Sequence, residues 1–161
     1  MVDKVIISSK SALQAKYAAG FAALQNAIDR LIDADATRNI TTQCVWVDDA
    51  AAVKDRTDLL QIADELATFA DTAAVIANLD LVISVDTSVA HLAGAMAKTV
   101  WILLPHTPDW RWLLGRNTST WYPTARLFRQ AAPGDWDEVT GRVAAELEVL
   151  VARSGTGRAP E

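Results

Sequence analysis

Leu81-Val82-Ile83-Ser84-Val85 runs without a break into Asp86-Thr87-Ser88, and that turn runs into Val89-Ala90-His91-Leu92-Ala93. A strand this apolar has no polar face to give to water, so protein must cover it on both sides. Asp, Thr and Ser are the residue types that start helices, and Val89, Leu92, Ala93 and Met96 then recur at helical spacing. A doubly buried strand that turns straight into a helix is the unit from which parallel α/β sheets are built.

The rest of the chain repeats that unit. Residues 4–8 (KVIIS), 42–47 (TQCVWV), 100–104 (VWILL) and 126–129 (RLFR) read as strands, with a further short strand at 59–62. Leu13, Tyr17, Phe21, Leu24, Ile28, Leu31 and Ile32 mark one amphipathic helix. Asp71-Thr72 caps a second, bearing Ala74, Val75, Ile76 and Leu79, and a third spans 135–153 with Val139, Val143, Leu147 and Leu150 on one face. The expected fold is a three-layer, Rossmann-like α/β domain over 1–153, with a mainly parallel sheet of five to six strands and a frayed tail at 154–161. Parallel strands bring their carboxyl ends to one edge, where ligands of such folds bind.

Composition narrows the classes of partner. A net charge of −5 with scattered Lys and Arg is unlike a nucleic-acid binder. Cys44 is the sole cysteine, which excludes an intrachain disulfide and a cysteine-rich zinc site, and its apolar neighbours make it a core thiol. The N-terminus carries no signal-peptide pattern, and no apolar run approaches the roughly 18 residues that span a bilayer, so the expected location is cytoplasmic. There is no G-x-S-x-G nucleophile elbow, and neither His91 nor His106 sits in a recognisable nucleophile–base pattern.

Chemistry concentrates at Asp86-Thr87-Ser88. Free N–H groups and the positive end of the following helix suit a diphosphate there, with hydroxyl donors on Thr87 and Ser88. Asp86 suits a sugar hydroxyl or a bound cation. His91 lies one turn after Thr87 on the same face. The plainer alternatives are an ordinary helix cap and a satisfied core histidine. Trp110, Trp112 and Trp121, with Arg111, either stack on a base or sugar or wedge their loop onto the sheet. Asp109 and Arg111 either pair with each other or face the cleft.

The run DELATFADTAAVIANLDLVISVDTSVAHLAGAM at 64–96 resembles family 9 glycosyltransferases, the heptosyltransferase-like enzymes, in the version found behind tetratricopeptide repeats in bacterial proteins. The likeness continues through WILLP at 101–105, PDWRWLL at 108–114, WYP at 121–123, RLFRQ at 126–130 and GDW at 134–136, and spans about 58–150. It implies the C-terminal, donor-binding half of a two-domain GT-B enzyme. By that resemblance Thr87 and Ser88 contact the diphosphate of a nucleotide sugar, Asp86 contacts the sugar, and His91 supports the turn or reaches the phosphate. No metal and no cofactor beyond the nucleotide-sugar ligand is implied.

Three departures qualify the resemblance. Ala97-Lys98-Thr99 stands where the family carries Gly-Lys-Pro, which removes a turn glycine. Residues 1–54 supply strand, helix and strand without the family's own opening motif, as a natural or engineered recombination would, with the seam at 50–59. Lys10 stands where the family places a basic donor ligand, and is either a substitute phosphate ligand or an exposed lysine. Asp48-Asp49 falls where Rossmann domains hold a ribose-binding acid, without the accompanying glycine-rich turn. Finally, 161 residues leave no room for an acceptor domain. The expectation is therefore a donor-binding domain that transfers nothing by itself and needs a complementary acceptor domain. The alternative is a non-catalytic scaffold or interaction module, prone to self-association.

Overall fold

The computed structural model describes residues 4–9, 41–46 and 66–155. Its elements are β1 (Lys4–Ser9), β2 (Thr41–Trp46), α1 (Phe69–Ala77), β3 (Leu81–Val85), α2 (Ser88–Ala95), β4 (Val100–Leu104), a 3-10 turn (Trp110–Trp112), β5 (Ala125–Arg129) and α3 (Trp136–Gly155). The helix expected at 13–32, the strand at 59–62 and Lys10 lie outside the described residues.

Among the described residues the sheet has five strands in the order β2-β1-β3-β4-β5, and every pairing is parallel. All of β3 and β4 is buried, as their uninterrupted apolar runs require. Val82, Val100, Ile102, Leu104, Ala125 and Leu127 pack with Ile76 and Leu79 and with Ala90 and Ala93 of α2. The alternate residues of β5 face the other way: Arg126 bonds Glu146 of α3, and the Arg142 guanidinium lies over Phe128. Of the expected inner face of α3, Val139, Val143 and Leu147 are buried and Leu150 is half-buried. Helices therefore cover both faces, giving the α/β layering of a Rossmann-like domain.

Two boundaries differ from expectation. The helix start placed at Asp71-Thr72 lies at Thr68, whose hydroxyl accepts the Asp71 N–H while the Asp71 carboxylate accepts the Thr68 N–H. Asp71 is thus the N3 residue of a capping box, and its carboxyl is held below the usual carboxylate range by the Thr68 hydrogen bonds. α3 runs to Gly155, into the expected tail. Among the described residues no helix is long and apolar enough to cross a membrane.

Candidate functional site

Strand order decides where a cleft opens. The chain lays β2 on one side of β1 and β3 on the other, so the winding reverses between β1 and β3, and ligands of open α/β sheets bind outside the carboxyl ends at such a reversal. Ser8 of β1 is level with Ser84 of β3, so β1 finishes beside the Asp86-Thr87-Ser88 turn. That turn opens α2, with Thr87 extended at the cap position (φ −141°, ψ 171°). No side chain caps α2. The Ser84 hydroxyl donates to the Val85 carbonyl at 2.8 Å, which leaves the Thr87 hydroxyl as donor in its 3.0 Å contact with Ser84 Oγ. Thr87 is therefore tied down into the strand, whereas Ser88 is exposed at the mouth of the helix.

His91 joins this turn to a distant loop. Its Nε2 is 3.4 Å from Asp86 Oδ1, and its Nδ1 is 2.9 Å from the Tyr122 hydroxyl. The ring stacks on Trp112 (5.2 Å between centroids, 22° between planes) and meets Tyr122 edge-on. A proton on Nε2 faces the carboxylate, and Nδ1 then accepts the Tyr122 hydroxyl, a tautomer assigned from these partners. Tyr122 in turn lies flat against α2: a Cβ at Gly94 would stand 2.4 Å from Tyr122 Cγ. Asp86 and His91 side chains keep about a third of their surface in water (30% and 33%), so the pair borders solvent.

This arrangement, a doubly buried strand with a turn at the winding reversal, lies within a span that can be compared with known sequences. Residues 37–114 match glycosyltransferase family 9, the heptosyltransferases. A related protein, FlbA of Caulobacter vibrioides, is 35% identical over 82 residues, which cover 51% of this chain and 13% of FlbA. The family 9 match takes in β2, α1, β3, α2, β4 and the 3-10 turn and stops at Leu114. It begins at 37, inside the 1–54 segment that the resemblance leaves out, and so ahead of the expected seam at 50–59.

Within the family 9 span the structure brings Asp86, Thr87, Ser88 and His91 together at one edge. Asp109 and Arg111 pair with each other: the carboxylate accepts the Arg111 N–H at 3.0 Å and its guanidinium at 2.9 Å. Of the tryptophans, Trp112 is buried and structural, while Trp110 and Trp121 stand in solvent. Ser84, Gly94 and Tyr122 are the supporting residues that sequence reasoning did not single out, and Trp112 takes the wedging role that was one of its two expected alternatives. Tyr122 carries a sequence signal in the WYP motif, but its partner His91 is 31 residues away. Gln130 Oε1 accepts the His106 and Gly134 N–H groups and so ties the exits of β4 and β5 together. Among the described residues no group of His, Cys, Asp or Glu could hold a metal ion.

Proposed function

We propose that the β3–α2 turn binds the diphosphate of a nucleotide-sugar donor, making this chain the donor half of a glycosyltransferase. The observation that carries the reading is the contrast between two helix starts. α1 closes its first turn with a full capping box, whereas α2, at the winding reversal, has no side-chain cap at all. Unsatisfied N–H groups at a helix start need an acceptor, and an anion is the natural one.

In this reading Ser88 and the first-turn N–H groups of α2 hold the diphosphate. Thr87 shapes the turn through Ser84, and its hydroxyl reaches a phosphate only by leaving that contact. Asp86 accepts a sugar hydroxyl, and His91 positions Asp86. Lys10, just beyond the end of β1, adds a cation. During transfer an acceptor hydroxyl attacks the anomeric carbon, the carbon–oxygen bond to the diphosphate breaks, and the electron pair leaves with the diphosphate. Donors already aimed at that departing charge lower the barrier without reorganising. The acceptor proton passes to a base that a complementary acceptor domain supplies, since orientation and base must both come from across the cleft.

Calorimetric titration of the chain with UDP, GDP and ADP, and with their sugar conjugates, tests the proposal. Binding that weakens in Ser88→Ala supports it, and no heat at millimolar concentration with any of them sinks it. Exposed Trp110, Leu114 and Trp121 favour the second reading, an interaction module without chemistry. That reading expects Asp86→Ala and Thr87→Ala to change stability alone.

A further inference from the structure

We propose that Trp110 and Trp121, with the Asp109–Arg111 pair at their rim, form a platform for a carbohydrate ring beside the diphosphate turn. The platform deepens the donor-site reading but rests on different residues. Trp110 and Trp121 are 67% and 59% exposed, and their rings meet edge to face at 6.4 Å and 85°. An indole left in water forgoes most of the stabilisation that its large apolar surface gives on burial, so two of them together call for a reason.

The backbone that carries both rings is fixed before any ligand arrives. Trp110 begins a 3-10 turn capped by the Asp109 carboxylate, and Trp112, at its other end, is buried against His91. Leu113 follows at φ 50°, a left-handed conformation that a branched residue adopts only when its surroundings impose it. Arg129 does so, donating to the Leu113 carbonyl at 2.5 Å and to the Trp112 carbonyl at 3.3 Å. On the other side the Trp121 and Tyr122 N–H groups both donate to Ser119 Oγ, at 3.1 and 3.2 Å. A surface fixed in this way loses little freedom when a ligand lands on it.

Position and chemistry select the ligand. Trp112 and Tyr122, the two residues that touch His91, lie within two positions of Trp110 and next to Trp121, so the platform flanks Asp86 and its turn. The Arg111 guanidinium lies over the Trp110 ring at 5.1 Å, and Trp110 still keeps 67% of its surface exposed. Asp109 already neutralises Arg111, so the rim offers no net charge to an anion. It offers an acceptor and donors side by side, which suit hydroxyls that both give and take hydrogen bonds. A pyranose has that rim and an apolar C–H face to lay on an indole.

The full chain and its Trp110→Ala/Trp121→Ala double variant are titrated with UDP, GDP and ADP, with UDP-glucose, GDP-mannose and ADP-glucose, and with maltotriose, reading heat and indole fluorescence. Wild type is expected to bind a nucleotide sugar about tenfold more tightly than its parent diphosphate, and the double variant is expected to lose that margin while binding the diphosphate as before. A Trp110→Phe/Trp121→Phe variant, which keeps aromatic faces, should recover part of it. A double variant that binds the nucleotide sugar as wild type does, or that loses the diphosphate equally, overturns the inference. If wild type binds no nucleotide at all, the donor-site reading fails by itself. The platform then stands only if maltotriose shifts the fluorescence of wild type and not of the double variant. Light scattering that finds wild type associated and the variant monomeric, with unchanged ligand binding, also overturns it.

Discussion

Ala97 sits at φ 56°, closing α2 with the paired bonds of a left-handed helix stop: its own N–H donates to the Gly94 carbonyl and the Lys98 N–H donates to the Ala93 carbonyl, both at 3.0 Å. A Cβ in that conformation costs roughly 1 kcal/mol, and this is the position where the family's glycine would sit. Ala97→Gly should therefore raise stability by no more than about 0.5 kcal/mol in urea unfolding, the relief being partly offset by the greater freedom of glycine in the unfolded chain. A lower midpoint would show that the methyl group packs usefully. Gly94 is the opposite case. Its φ is ordinary, and what demands glycine is the Tyr122 ring, 2.4 Å from where a Cβ would stand. Gly94→Ala should cost about 1–3 kcal/mol and free His91 from Tyr122, which NMR of the imidazole protons would report. The first need was visible in the sequence as a departure from a motif. The second was not, because nothing near Gly94 in the chain announces the tyrosine that rests on it.

Among elements, α1 and α2 show how differently a helix start can be used. Removing the α1 cap with Thr68→Ala should cost about 1 kcal/mol of stability. Ser88→Ala at the start of α2 should stay within about 0.5 kcal/mol of wild type, since no protein group depends on that hydroxyl for a cap. Its effect should appear in UDP affinity instead, as a loss of about tenfold, the scale of one hydrogen bond to a charged group. Equal stability losses in the two variants would remove the distinction on which the donor site rests. The α1 start was misread for a physical reason. Thr68-Phe69-Ala70-Asp71 is a capping box with Asp in place of the usual Glu or Gln, and Asp71-Thr72 is itself a pair of cap-type residues three positions further on. The strands were read more closely, because β3 and β4 are buried on both faces and their apolar runs end where the strands end.

For the whole molecule, the layering was legible and the strand order was not. Apolar runs say that a strand is buried without saying beside which neighbour, so the reversal between β1 and β3 that opens the cleft appears only in the pairing. The same holds for the tryptophan loop, which has no period to separate buried Trp112 from exposed Trp110 and Trp121. At the far edge, β5 is closed by its own surroundings: the Ala125 and Leu127 N–H groups donate to the Tyr122 and Asn117 carbonyls, and Arg142 donates to the Arg129 carbonyl. α3 is fastened there by the two Arg126–Glu146 bonds, at 2.8 and 2.5 Å, and these hydrogen bonds hold the Glu146 carboxyl below its ordinary range. The Asp71 carboxyl is held down in the same direction by Thr68. A carboxyl whose folded pKa lies below its unfolded value contributes stability above the unfolded value and loses it as pH falls through the folded one. Stability should thus be level near neutrality and decline in acid below the usual carboxylate range. Arg126 and Glu146 keep 42% and 38% of their side-chain surface in water, so solvent screens the pair and its neutral-pH contribution is small. Glu146→Gln should accordingly shift the urea midpoint little at neutral pH and make its decline in acid shallower than that of wild type. An identical acid slope in the two proteins would show that the Arg126 contact does not link protonation to folding, leaving the Arg142 bond to β5 and the apolar packing of Val139, Val143 and Leu147 to hold α3 in place.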